Sequence, residues 1–247
     1  MDERMINGKR VVLVSKVERG DGGAVPVEHA ERRIIGNAPL ILWGTFLHEE
    51  NEIEHFVDEL EKIIPEGGYI LAAFFAEDWN RDFSPWEAPA VFGNEDFAGK
   101  GAEMLDWLTD QCIPQLEQDF GTGRPKYLIG YSLAGLFALW AGYETDMFDG
   151  IASCSGSLWF RDWDSYVNSH TMKHFCNVYL SLGTKEEKTR NRQMALVGDR
   201  TREQFRILES DEHVKKLILE WNPGGHFADS GKRLAKGVRW LMEQRYF

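Results

Sequence analysis

Short, almost wholly apolar runs alternate with stretches of helical periodicity along this chain, and that alternation leaves few folds open. The runs fall at residues 39–43, 69–75, 126–130, 150–154, 177–182 and 214–221. Among the intervening stretches, residues 52–64 carry Ile53, Phe56, Val57, Leu60 and Ile64 at helical spacing. Residues 101–120 do the same with Met104, Leu105, Leu108, Cys112 and Leu116, and Pro114 is expected to kink that helix. Further helices are predicted over 133–143, 191–208 and 228–244. Strands alternating with helices imply parallel crossovers, and strands this apolar imply a sheet covered on both faces. The prediction is one α/β domain over residues 1–247, built on a mostly parallel central sheet of about eight strands, with a small lid segment around 157–175. Residues 11–16 and 25–35 are predicted to form an opening hairpin about the turn Gly20-Asp21-Gly22-Gly23.

In such sheets ligands sit beyond the carboxyl ends of the strands, so the chemistry is sought there. The run 126–130 leads into Gly130-Tyr131-Ser132-Leu133-Ala134-Gly135, and an apolar helix follows. A serine between small residues two positions away on each side matches the strand-to-helix turn of a nucleophile elbow. Such a turn holds the serine at strained backbone angles, which leaves no room for bulk at positions 130 and 134. It also presents the hydroxyl at a helix N-terminus, where amides can stabilise an oxyanion.

A serine hydroxyl needs a base. Seven histidines are present. His226 follows the last apolar run through Asn222-Pro223-Gly224-Gly225, a loop able to turn the imidazole back over the sheet. In this order of residues an acid is expected after the penultimate strand. There the sequence offers Glu186 and Glu187, and Asp199 further on. His48 and His55 share one face of a predicted helix, among glutamates that read as a solvated acidic surface, and no metal site is expected.

Two backbone amides are candidates for an oxyanion hole. One is that of Leu133, after the serine. The other is that of Thr45, in the Gly44-Thr45-Phe46 loop expected after the strand at 39–43. Two aromatic segments follow strand ends. Trp79 and Trp159 are the candidate substrate-binding residues within them.

The formal net charge of −12 disfavours nucleic acid and anionic membranes as partners. The three cysteines are expected to be reduced and to pack in the core. No apolar stretch reaches the length of a membrane span, and the start of the chain lacks the pattern of a secretory signal, so a cytoplasmic location is expected.

From about residue 39 onward, the chain resembles the esterase family of α/β-hydrolases that includes esterase D and the siderophore trilactone esterases. The residues that carry the likeness are Gly130–Gly135, the Gly183-Thr184-Lys185-Glu186 loop and Gly224-Gly225-His226, with Ser155–Phe160 as a further point. The resemblance implies the α/β-hydrolase fold and hydrolysis of a small-molecule ester without a cofactor. It favours Glu186 over Glu187 as the acid. Ala134 stands where Gly is more common in the family. The same triad would also serve acyl transfer to an alcohol.

Overall fold

The computed structural model describes residues 1–16, 37–46, 50–64 and 68–244. Its strands are β1 (Asp2–Ile6), β2 (Lys9–Lys16), β3 (Leu40–Phe46), β4 (Tyr69–Ala76), β5 (Glu87–Ala88), β6 (Phe97–Ala98), β7 (Lys126–Tyr131), β8 (Gly150–Cys154), β9 (Cys176–Gly183) and β10 (Val214–Asn222). Eight of them form one sheet in the order β1-β2-β4-β3-β7-β8-β9-β10, and β5 pairs only with β6. Pairing is parallel from β4 through to β10, and β1 and β2 add an antiparallel hairpin at one edge.

Alternate residues of each strand feed two separate cores. Leu40, Leu42, Ile70, Ala72, Phe74 and Leu128 enter one, together with Met104, Leu108, Leu136 and Phe137 from helices. Those helices are α3 (Gly101–Trp107), α4 (Ile113–Phe120) and α5 (Leu133–Glu144) with the turn between α3 and α4. The intervening residues Ile41, Trp43, Leu71, Ala73 and Ile129 enter the other core. There they meet Ile53, Phe56 and Leu60 of α1 (Glu50–Ile63) and Leu234, Val238 and Leu241 of α8 (Ser230–Glu243). The inner strands β3, β4, β7, β8 and β9 are covered on both faces and almost wholly buried, which is why they are largely apolar; β1 and β10, at the edges, carry charged residues.

Several local expectations are corrected. A hairpin that the sequence reading did not foresee joins β2 to β1, through Asn7 (φ 45°) and Gly8 (φ 84°). Left-handed angles at both turn residues suit an Asn-Gly pair and match the twist of the flanking strands. The proposed partner at 25–35 and the turn at 20–23 lie outside the described residues. The helix predicted over 101–120 is divided by a π turn at Leu108–Cys112. Pro114 has no N–H to give to the carbonyl four residues back, and the ladder widens just ahead of it, with the Ile113 amide bonding to Leu108. The helix expected over 191–208 is α7 (Val197–Glu209), preceded by a 3₁₀ turn at Met194–Leu196. The Asn191 side chain accepts from the amides of Gln193 and Met194. Strand β3 runs on to Phe46, so Gly44 and Thr45 belong to the strand and not to a loop after it.

Within 157–175, residues 157–160 are buried and α6 (Trp163–Val167) follows. The Trp163 indole donates to Gln204 Oε1 at 3.0 Å, and the Lys173 amide donates to the Gly142 carbonyl at 3.0 Å.

Candidate active site

Ser132 sits between the end of β7 and the start of α5 with φ 58° and ψ −121°. A side chain in this region costs on the order of 1–3 kcal/mol, so neighbouring contacts must hold it there. The Ser132 amide donates to the Cys154 carbonyl at 3.0 Å, and the Ser132 carbonyl accepts from the amides of Ser157 (3.0 Å) and Leu136 (3.1 Å). The tightness of the turn explains its small residues. A Cβ on Gly130 would lie 2.1 Å from the Ala134 carbonyl oxygen, closer than any real contact. A Cβ on Gly135 would meet the Cys154 carbonyl and Gly156 Cα, both at 3.1 Å.

His226 reaches this serine from the loop after β10. Its Nε2 lies 3.0 Å from Ser132 Oγ, and its Nδ1 lies 2.8 Å from Glu186 Oε2. Glu186 opens a 3₁₀ turn directly after β9, and its side chain is 3% exposed. The other carboxylate oxygen, Oε1, accepts from Ser155 Oγ (2.7 Å), the Gly183 amide (2.7 Å) and Arg233 Nη1 (2.8 Å). Glu187 instead pairs with Arg202 at 2.9 Å, and Asp199 pairs with the same arginine at 3.0 Å. Of the three candidate acids, Glu186 is the one brought to the imidazole.

Burial works to raise the pKa of Glu186, but hydrogen bonds from His226, Ser155 and the Gly183 amide outweigh it and hold the carboxyl below its usual value. A carboxylate depressed in the folded state contributes stability that is present above its unfolded pKa, about 4.3, and is lost as pH falls through the folded value. Melting temperatures measured between about pH 5 and pH 3 are therefore expected to fall more steeply for the wild-type chain than for Glu186→Gln. Parallel slopes would contradict this account of the site.

Sequence reading missed the residues that surround Glu186. Arg233, on α8, is 1% exposed. Its Nη1 contacts Glu186 Oε1, Ser155 Oγ (2.9 Å) and Tyr131 Oη (3.0 Å), and its Nη2 donates to the carbonyls of Pro223 (3.2 Å) and Gly225 (3.0 Å). Tyr131 in turn donates to the His226 carbonyl at 2.5 Å. One guanidinium thus fastens the Glu186 carboxylate and the loop that carries His226. A signal existed: Arg233 lies at helical spacing from Gly237 and Leu241 on the buried face of the last helix. A cation there needs a buried anion.

The remaining candidates lie at the same end of the sheet. Leu133 is the first residue of α5, so its amide belongs to the free N-terminal turn. Strand β3 pairs with β7 only as far as Gly44 opposite Gly130, but continues along β4 to Phe46. Thr45 therefore lies just past the end of the β7 ladder, level with the turn that holds Ser132. Trp79, in the single helical turn α2 (Trp79–Asp82), packs edge-on against Phe46 at 6.0 Å and Phe83 at 5.0 Å. Trp159 is buried against Phe97 at 6.3 Å and Phe92 at 6.5 Å. Two residues before it, Ser157 Oγ lies 3.4 Å from Ser132 Oγ.

Among the described residues no group of His, Cys, Asp and Glu side chains could hold a metal ion. His55 packs against Gly231, and His48 lies outside the described residues. The three cysteines are free and buried, and burial pushes each thiol up to about 12. No helix of the described residues is long and apolar enough to cross a membrane.

The fold is similar to that of an IroE-like serine hydrolase from Shewanella oneidensis, with a TM-score of 0.76 and 15% identity over 95% of this chain and 76% of that one. It is also similar to the siderophore hydrolase EstB from Aspergillus nidulans, with a TM-score of 0.73 and 16% identity over 100% and 95% of the two chains. At these identities the likeness establishes the fold. An uncharacterized protein of Bacillus subtilis, YbbA, is 25% identical over 181 residues, covering 70% of this chain and 72% of that protein. The family described as "Putative esterase" matches residues 68–227, more than half of the chain and the whole span from Ser132 to His226. The chain belongs to that esterase family, and it carries out its carboxylic-ester hydrolysis on an α/β-hydrolase fold.

Proposed function

We propose that the chain hydrolyses a small or aromatic carboxylic ester through an acyl-enzyme on Ser132. The observation that carries this reading is the unbroken chain of contacts from Ser132 Oγ to His226 Nε2 (3.0 Å) and from His226 Nδ1 to Glu186 Oε2 (2.8 Å). The buried carboxylate keeps the proton of the neutral ring on Nδ1, which leaves the Nε2 lone pair facing the hydroxyl. As Ser132 Oγ attacks the ester carbon, its proton passes to His226. The imidazolium that forms is stabilised by Glu186. The amides of Leu133 and Thr45 receive the charge that develops on the carbonyl oxygen. His226 then returns the proton to the departing alcohol. Water attacks the acyl-enzyme by the same route and releases the acid. Trp79 and Trp159 supply apolar walls for the substrate.

The test is direct. A fluorophosphonate probe should label the native chain at one site, and peptide mass mapping should place the adduct on Ser132. Natively folded protein that resists the probe, or an adduct on another serine, overturns the assignment.

A further inference from the structure

A cluster of cations lies beside this site, in a chain whose overall charge is strongly negative. Between residues 185 and 192 the sequence carries Lys185, Lys188, Arg190 and Arg192, with Glu186 and Glu187 the acidic residues among them. Neither glutamate is free to neutralise the cluster. Glu186 is buried on Arg233 and His226, and Glu187 is paired with Arg202. All four basic side chains are exposed, and none has a carboxylate partner among the described residues. Elsewhere Arg4, Lys16, Lys62, Lys126 and Arg200 each sit on a carboxylate; Lys173, Arg206, Lys216 and Lys232 are exposed without an ion pair among the described residues, so what marks this cluster is its density and its place.

Both ends of the segment are fixed to the rim of the site. The Lys185 amide donates to the Gly224 carbonyl at 2.9 Å, two residues before His226. At the far end, Asn191 Nδ2 donates to the Val91 carbonyl at 2.7 Å and Gln193 Nε2 to the Trp159 carbonyl at 3.4 Å. The segment that carries the cations therefore spans from the His226 loop to the Trp159 carbonyl. Past the end of β4 the charge is reversed, with Glu77 and Asp78 exposed before Trp79. Unpaired like charges repel one another and gain nothing for the fold. Held beside a reaction centre, they raise the local concentration of an oppositely charged ligand against the repulsion of the rest of the surface.

We propose that the physiological ester carries a negative charge, and that Lys188, Arg190 and Arg192 select it. The proposal rests on the hydrolase reading above and deepens it. The charge can lie either on the alcohol half or on the acyl half of the substrate, and a carboxylate serves as the probe of it. The experiment therefore uses two aryl esters, one with a carboxylate on each half, each beside its uncharged carboxamide counterpart. At low ionic strength the wild-type chain should favour at least one anionic ester over its counterpart by about tenfold in kcat/KM. That ratio should fall toward one in 0.5 M salt, because the attraction is screened. It should fall likewise in the triple variant K188Q/R190Q/R192Q. A wild-type ratio at or below one for both pairs overturns the proposal without reference to any variant. So does a preference that survives both the salt and the substitutions. Failure to hydrolyse any of the four esters would instead overturn the hydrolase reading.

Discussion

Ser132→Ala is expected to lower kcat for an activated ester by on the order of 10⁴-fold or more, while the melting temperature stays near that of the wild type. The size follows from what the substitution removes. Without Oγ no acyl-enzyme forms, and the 3.0 Å contact to His226 Nε2 is lost. The proposed oxyanion donors, the amides of Leu133 and Thr45, belong to the backbone and remain, so a residual rate above that in water is expected. The fold is spared because the strain at position 132 belongs to the backbone: alanine carries the same Cβ at φ 58° and meets the same contacts. Removing His226 as well should cost only a further few-fold, since the two side chains act as one unit. The measurement is kcat of purified single and double variants on 4-nitrophenyl acetate, with melting curves alongside. Near wild-type turnover in well-folded Ser132→Ala would end the assignment of the nucleophile.

Some of this site is written in local sequence and some is not. Ser132 is legible because the turn imposes a steric rule on its neighbours: a Cβ on Gly130 would fall 2.1 Å from the Ala134 carbonyl oxygen, so only hydrogen fits. His226 is legible because Pro223, Gly224 and Gly225 mark a bend after the last apolar run. Glu186 and Glu187 are chemically alike and adjacent. What separates them is the direction each side chain takes from a 3₁₀ turn, which neither composition nor periodicity encodes. Family resemblance favoured the one that meets the imidazole. Arg233 is the opposite case. Its position on the buried face of the last helix is periodic and readable, but its partner lies 47 residues earlier in the chain. Long-range pairing of this kind becomes visible only once β9 and β10 are set side by side.

The fold divides along the same line. The inner parallel strands are legible because covering both faces demands mostly apolar residues along them. β1 is not, because it is a mostly exposed edge strand, with only Ile6 buried. Its signal is the Asn7-Gly8 pair in the turn, which a search for apolar runs passes over. The π turn at Leu108–Cys112 is equally silent, since its five residues keep an ordinary amphipathic pattern.

Glu186→Gln is expected to lower kcat/KM by roughly 10³–10⁴-fold, whereas Glu187→Gln stays within a few-fold of the wild type. The reason lies in the other oxygen of the carboxylate. The Oε1 position accepts from Ser155, the Gly183 amide and Arg233, so a glutamine must place its carbonyl there and turn its amide toward His226. An amide is a donor. His226 Nδ1 must then accept, and the proton of the neutral ring moves to Nε2, where it points at Ser132 Oγ and blocks the transfer that starts the reaction. The shape of the site is retained while its proton logic is reversed. Glu187 contributes only a part-exposed pair with Arg202, worth about 1 kcal/mol or less and remote from the ring. Steady-state kinetics of the two variants on one ester decide the matter. Equal losses, or a larger loss in Glu187→Gln, would show that the carboxylate holding the base has been misidentified.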